Sequence, residues 1–138
     1  MSIIAIRRAL EKKLIAMTPA MATAWENDDF DTTVNSTYQR VNLLPGTPDD
    51  TLITARSYFE NGIFQVMLVY PTNTGPGVAA ARANAVRLQF RRGSTLIEPG
   101  LSIHITKTPA IAPALIADGR YNVPVSITFQ AQVFITPG

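Results

Sequence analysis

Cysteine is absent from the 138 residues, which excludes a disulfide framework and any thiolate metal site. Histidine occurs once, so no site in the chain can draw on two imidazole ligands. Charge is sparse as well: 16% of residues are charged, against about 25% in an ordinary soluble domain. No run approaches the ~18 continuous apolar residues that a membrane-spanning helix needs. Arg7 and Arg8 sit in a mixed pattern with no apolar stretch or small-residue cleavage site behind them, so no signal peptide is expected and the product should be cytoplasmic where it is made. What the chain does have is 46% hydrophobic residues, too many for intrinsic disorder. Ten prolines and eight glycines promise many turns. One domain spanning residues 1–138 is expected, burying about two-thirds of the surface of the unfolded chain. Apolar-rich and charge-poor, it should have part of its surface covered by another molecule.

Along the chain, Ile3, Ile6, Leu10, Leu14 and Met17 recur at steps of three and four, while Arg7, Arg8, Glu11 and Lys12 fall on the other side. The spacing predicts an amphipathic helix from Ser2 to Met17, capped by Ser2 and stopped by Pro19. Ala20 to Trp25 reads as a brief strand, with Trp25 as a core anchor, before the acidic run Glu26-Asn27-Asp28-Asp29-Phe30-Asp31. Tyr38 to Leu44 reads as a strand closed by turn chemistry at Pro45-Gly46 and Pro48-Asp49-Asp50. Thr51 to Phe59 and Ile63 to Tyr70 flank Glu60-Asn61-Gly62, and Asn-Gly tolerates the positive φ of a type I′ turn, so a tight hairpin is expected there. Its second strand is nearly all apolar and belongs mid-sheet with something packed on each face.

A second helix is expected from Val78 to Arg92, with Pro76 in its first turn and Gly93 at its stop. Ala79, Ala83, Val86 and Phe90 form one apolar face; Ala81, Ala85 and Leu88 form an opposite one that should meet the first helix or another subunit. Strands follow at Thr95 to Ile97, Leu101 to Thr108 and Val123 to Ile135, with a proline-punctuated apolar loop from Pro109 to Gly119. The fold class read from this order is α+β: a mostly antiparallel sheet of about five to six strands with two helices packed on it.

Chemistry is poorly provided for. His104 alternates onto the wet side of its strand without an evident nucleophile and reads as a surface histidine. The acidic run lacks the turn glycine and spaced final Glu of a calcium loop. Gly75-Pro76-Gly77 lacks the Lys-Ser/Thr of a phosphate loop, and Pro76 removes a donor. No catalysis, cofactor or metal is therefore expected. The charge is segregated: the first helix carries +3 and the second +4, from Arg82, Arg87, Arg91 and Arg92, so the rest of a chain with net charge +2 carries −5. Solvated helix faces would account for this. So would complementary patches between copies, with Glu26, Asp28, Asp29 and Asp31 as the acidic side and the four arginines as the basic side. Nucleic-acid binding by the basic helices is the weaker alternative, since few aromatics interleave with them.

Several residues in order resemble a known family: Thr23-Ala24-Trp25-Glu26-Asn27 with Phe30, Tyr38-Gln39-Arg40-Val41, Asn61-Gly62-Ile63-Phe64-Gln65-Val66, Tyr70-Pro71 leading through Gly75 to Gly77 into an alanine-rich helix, and Phe90-Arg91-Arg92-Gly93. Over essentially the whole chain the arrangement looks like the prophage-encoded tail terminators of long-tailed phages, related to the lambda-type minor tail protein. The resemblance implies a structural protein that assembles as a ring, commonly a hexamer, on the last ring of the tail tube. It implies that the protein stops tube polymerisation and faces the head-tail connector, made in the host cytoplasm and ending in the virion tail. Neck and head-completion proteins share small α+β cores, so a neighbouring role in the same particle is the alternative. The loops from Asn27 to Thr37, Thr72 to Gly77 and Pro109 to Gly119 are the expected docking elements.

Overall fold

Burial follows the helical spacing. In the computed structural model, which describes residues 2–18, 20–26, 37–48, 57–72, 75–117 and 119–134, helix α1 (Ser2–Ile15) turns Ile6, Leu10 and Leu14 fully inward. Met17 follows them into the core just past the helix end. Pro19 and the Ser2 side chain lie outside the described residues and atoms. Helix α2 (Pro76–Gln89) starts after Gly75, whose φ of 81° only glycine adopts cheaply, and has proline in its first turn. It buries Ala79, Ala83 and Val86 as expected, and Phe90 is buried immediately after it. The helix ends earlier than Arg92, because Phe90 leaves helical φ/ψ while its ring stays in the core, 6.0 Å from that of Phe64. Gly93, at φ 90°, then turns the chain so that its N–H donates to Ile105 O. The opposite face of α2 is not covered by α1: Leu88 and Ala81 are exposed, and Ala85 is partly buried against the core.

The strands are β1 (Thr23–Ala24), β2 (Tyr38–Pro45), β3 (Ser57–Pro71), β4 (Thr95–Glu98), β5 (Leu101–Ile105), β6 (Ala110–Ile111), β7 (Leu115–Ala117) and β8 (Arg120–Phe134). They form one mixed sheet of eight, larger than the five to six expected, in the order β1-β2-β3-β8-β5-β4, with β6 and β7 also paired to β8. Every pairing is antiparallel except β1 with β2. Two 15-residue strands are its spine: β3 and β8 pair from Ser57↔Phe134 to Pro71↔Arg120. The proline-rich segment after β5, expected to be a loop, instead places β6 and β7 along the free edge of β8. Pro124 is tolerated in β8 because its carbonyl, accepting from Ala112 N–H, faces that edge in the gap between β6 and β7, where a ladder N–H is not required.

The expected hairpin at Asn61-Gly62 does not form. Both residues lie within β3, paired to β8 through Asn61↔Gln130 and Gly62↔Phe129, and Gly62 also faces Pro45 of β2. Glycine is needed here for proximity, not for a turn. A Cβ at Gly62 would stand 2.8 Å from Leu44 O and 2.9 Å from Phe129 Cζ. Long-range pairing on both sides outweighs the local turn preference of Asn-Gly, as tertiary context routinely does. Residues 51–56 of the expected first hairpin strand lie outside the described residues.

Both helices pack on one face of the sheet, over Val41, Leu43, Phe64, Val66, Leu68, Ile103, Val125 and Ile127. The other face differs from the expectation of cover on both sides. Among the described residues it holds a small apolar cluster of Ala24, Tyr38 and Val69 with Met67 against it, and elsewhere partly exposed Gln65, Ser126, Thr128 and Gln130.

Candidate functional site

Glu26 belongs to the framework as much as to any outer patch. It follows the short strand β1, and its Oε1 accepts from Leu43 N–H at 2.8 Å and from Arg7 Nη1 at 2.9 Å. One carboxylate thus ties α1 to the outer edge of β2. The Leu43 N–H, and after it the Arg7 guanidinium, hold its carboxyl below the usual range. Trp25 beside it is partly buried against the main core, the anchoring role expected of it. Asp28, Asp29 and Asp31 lie outside the described residues.

The four arginines do not make one surface. Arg82 is buried on the core side of α2, where its charge reaches Tyr70, whose hydroxyl is pushed up by burial and partly brought back by that guanidinium. Arg87 donates from Nε to Pro109 O at 3.0 Å, which fastens α2 to the segment leading into β6. Arg91 and Arg92 are exposed in the turn beyond α2. On α1, Arg7 is engaged with Glu26 and Lys12 lies 3.9 Å from Glu98 of β4. The segregated charge of the sequence is therefore partly met within the chain.

A cationic cleft lies elsewhere, on the open face of the sheet. Register builds it: Tyr38 of β2 pairs with Val69 of β3, Val69 with Asn122 of β8, and Asn122 with Leu115 of β7. Arg40 lies beside Met67 in the next exposed row, and Arg120 pairs with Ala117. The cleft has a volume of about 320 Å³, at the small end of ligand-sized clefts. Arg40 and Arg120 stand over the Tyr38 ring, their Cζ atoms 5.7 Å and 5.8 Å from its centroid, a cation–π arrangement. Among the described residues its lining carries two guanidiniums and no carboxylate. Sequence spacing had no means of finding it, because Arg40 and Arg120 are separated by five strands and a helix in chain order.

Apolar side chains stand out at the cleft rim and at the far edge of the sheet. Leu115 and Ile116 of β7 are 58% and 73% exposed, and Ile97 on the edge strand β4 is 79% exposed, the pattern of surface that a partner covers. His104 is exposed, with Ser102 Oγ 3.3 Å from Nε2 and Thr95 Oγ1 3.2 Å from Nδ1. The hydroxyl neighbour that the sequence did not reveal is present. A threonine hydroxyl, however, occupies the place where a catalytic triad has its carboxylate. Among the described residues no three acid or imidazole side chains gather as a metal site, and no helix is long and apolar enough to cross a membrane.

One solved structure is similar over its full length: at 27% identity it covers 100% of this chain and 99% of its own, with a TM-score of 0.74. No curated protein matches. A family model described as phage tail terminator protein matches residues 5–129.

Proposed function

We infer the role from the family: the chain belongs to the phage tail terminators, a structural family of tail assembly. Within that role, it caps the tail tube, ends tube polymerisation and provides the head-proximal surface of the tail. It does so as a closed ring, a hexamer, held by contacts between copies. Its partners are further copies, the tail tube protein and the head-tail connector, met first in the host cytoplasm and then in the virion.

The family match over residues 5–129 carries this reading. Two features of the chain support it. A closing ring needs a heterologous contact between two different patches of each subunit, and the exposed cations Arg40, Arg91 and Arg92 could serve one of them. It also exposes apolar side chains at Ile97, Leu115 and Ile116 that assembly would cover. The nucleic-acid reading has fewer free cations to draw on than the sequence suggested, since Arg82 is buried and Arg87 is bound to the backbone.

The test is tube growth in vitro. Purified tail tube protein from the same particle, polymerised with this chain, should give short tubes with added density at one end in negative stain. Tubes that elongate as they do without it, with bare ends, would overturn the capping role.

A further inference from the structure

We propose that the outer edge of β4 pairs antiparallel with the same edge of a second copy, giving a two-fold dimer whose sheet runs unbroken from one chain into the other. A two-fold contact presents the same patch from both chains and does not by itself close a ring. The pair is therefore a second mode of self-association, which goes beyond the ring reading and stands without it.

The two ends of the sheet differ. At one end the outer edge of β2 is obstructed: β1 pairs with Gln39 and Arg40, and Leu43 N–H is taken by Glu26. At the other end β4 is the last of the described strands. Ile105 N–H donates to Ser94 O, so Ser94, Leu96 and Glu98 turn their backbone groups toward β5, while Thr95 and Ile97 turn theirs outward. Proteins usually blunt such an edge with lysine, proline or a bulge. β4 instead reads Thr-Leu-Ile-Glu, and its Ile97 is 79% exposed. An edge of this kind asks for an extended backbone that brings an aliphatic side chain.

β4 itself meets that requirement. Antiparallel pairing centred on Leu96 sets Thr95 of each copy against Ile97 of the other, so the outward N–H and C=O groups of both are exchanged. The two Ile97 side chains become diagonal neighbours on one face and cover each other. Charge fits the same register. Glu98 of each copy comes opposite Ser94 of the other, beside Arg91 and Arg92, which are exposed in the turn leading into β4. Each Glu98 would then lie between its own Lys12, 3.9 Å away, and the arginines of the other copy. Four residues from each chain fall well short of the about 20–30 in a standard interface, so the pair is weak and reversible.

Sedimentation of the full-length chain at low salt tests the pair. Wild type should pass from monomer to dimer between about 10 μM and about 1 mM, and hydrogen exchange at the Thr95 and Ile97 amides should slow over the same range. Ile97→Pro removes an outward N–H while keeping the ladder to β5, and should abolish the dimer. Ile116→Glu, at a comparably exposed position on β7, should leave it intact. Glu98→Arg alone, and Arg91→Glu with Arg92→Glu alone, should each weaken pairing about tenfold by bringing like charges together. Mixed one-to-one, these two variants should pair again, because every charge contact in the mixed dimer joins opposite signs. A mixture no tighter than either variant alone would overturn the proposal. So would a dimer that survives Ile97→Pro in a folded chain, one lost equally in Ile116→Glu, or wild type still monomeric at about 1 mM. Should Ile97→Pro melt early, amide exchange in the wild type decides: a dimer or ring whose Thr95 and Ile97 amides stay unprotected overturns the assignment to this edge.

Discussion

Phe64, Val66 and Leu68 project from β3 into the helix-covered side of the sheet and have no exposed surface, whereas their neighbours Gln65 and Met67 project to the other side and stay partly exposed. The same strand therefore serves two purposes at alternate positions. On the covered side its side chains meet α1 and α2 in a packed interior, where stability is decided by volume and fit. On the open side they meet polar neighbours and, at one end, the small cluster of Ala24, Tyr38 and Val69 beside the cleft of Arg40 and Arg120. Among the described residues the larger core lies on one face, and only the small Tyr38 cluster lies on the other.

The sharpest way to break that comparison is Phe64→Ala set against Gln130→Ala. Emptying a site packed on Phe90 should cost about 3–5 kcal/mol, while the open-face change should stay within about 0.5 kcal/mol, read from denaturant midpoints. Similar losses at both positions would mean that the open face is packed too.

Next comes Gly62→Ala, which adds a Cβ between Leu44 O and the Phe129 ring and should destabilise by about 1–3 kcal/mol. If proximity is the cause, Phe129→Leu in the same chain should relieve part of the loss, a coupling visible in a double-mutant cycle. A turn glycine would show no such coupling.

Glu26→Gln should cost about 1 kcal/mol at neutral pH, since the carboxylate is partly solvated and its ion pair is screened. Its carboxyl titrates below the usual value in the folded chain. The stabilisation is therefore complete above the unfolded value near 4.5 and is lost as pH falls through the folded one. Wild type and variant should converge in stability at the acid end of that window; a constant gap across pH would contradict the sign.

The smallest stability effect belongs to Arg91→Ala with Arg92→Ala, within about 0.5 kcal/mol because both are exposed. Tube capping should weaken all the same if they form part of the assembly surface. Gel retardation of DNA by wild-type chain at low salt, lost in this variant, would instead revive the nucleic-acid reading.

Helical spacing and strand alternation made much of the covered face legible. Ile6, Leu10, Leu14, Ala83 and Val86 were all placed inward by periodicity, because a repeating pattern needs only its own element to be read. Asn61-Gly62 misled, because a dipeptide reports local backbone preference and β2 and β8 supply the opposing pairs. Arg82 and Arg87 looked like part of a solvated stripe, yet one turns into the core and the other binds Pro109 O. The Tyr38 cleft left no trace at all in the spacing.

By itself the sequence determined what could be settled locally or by inventory: two helices with apolar faces, an α+β fold class, and the lack of cysteine. The ordered family signatures were legible too, and the match to the tail terminators agrees with them. Tertiary structure alone decided which strands neighbour β8, which arginines are spent inside the chain, and that Arg40 and Arg120 share one tyrosine. The physical reason is sequence distance. Sheet order joins residues far apart in the chain through backbone ladders that any side chain can occupy, so its juxtapositions carry no local signature.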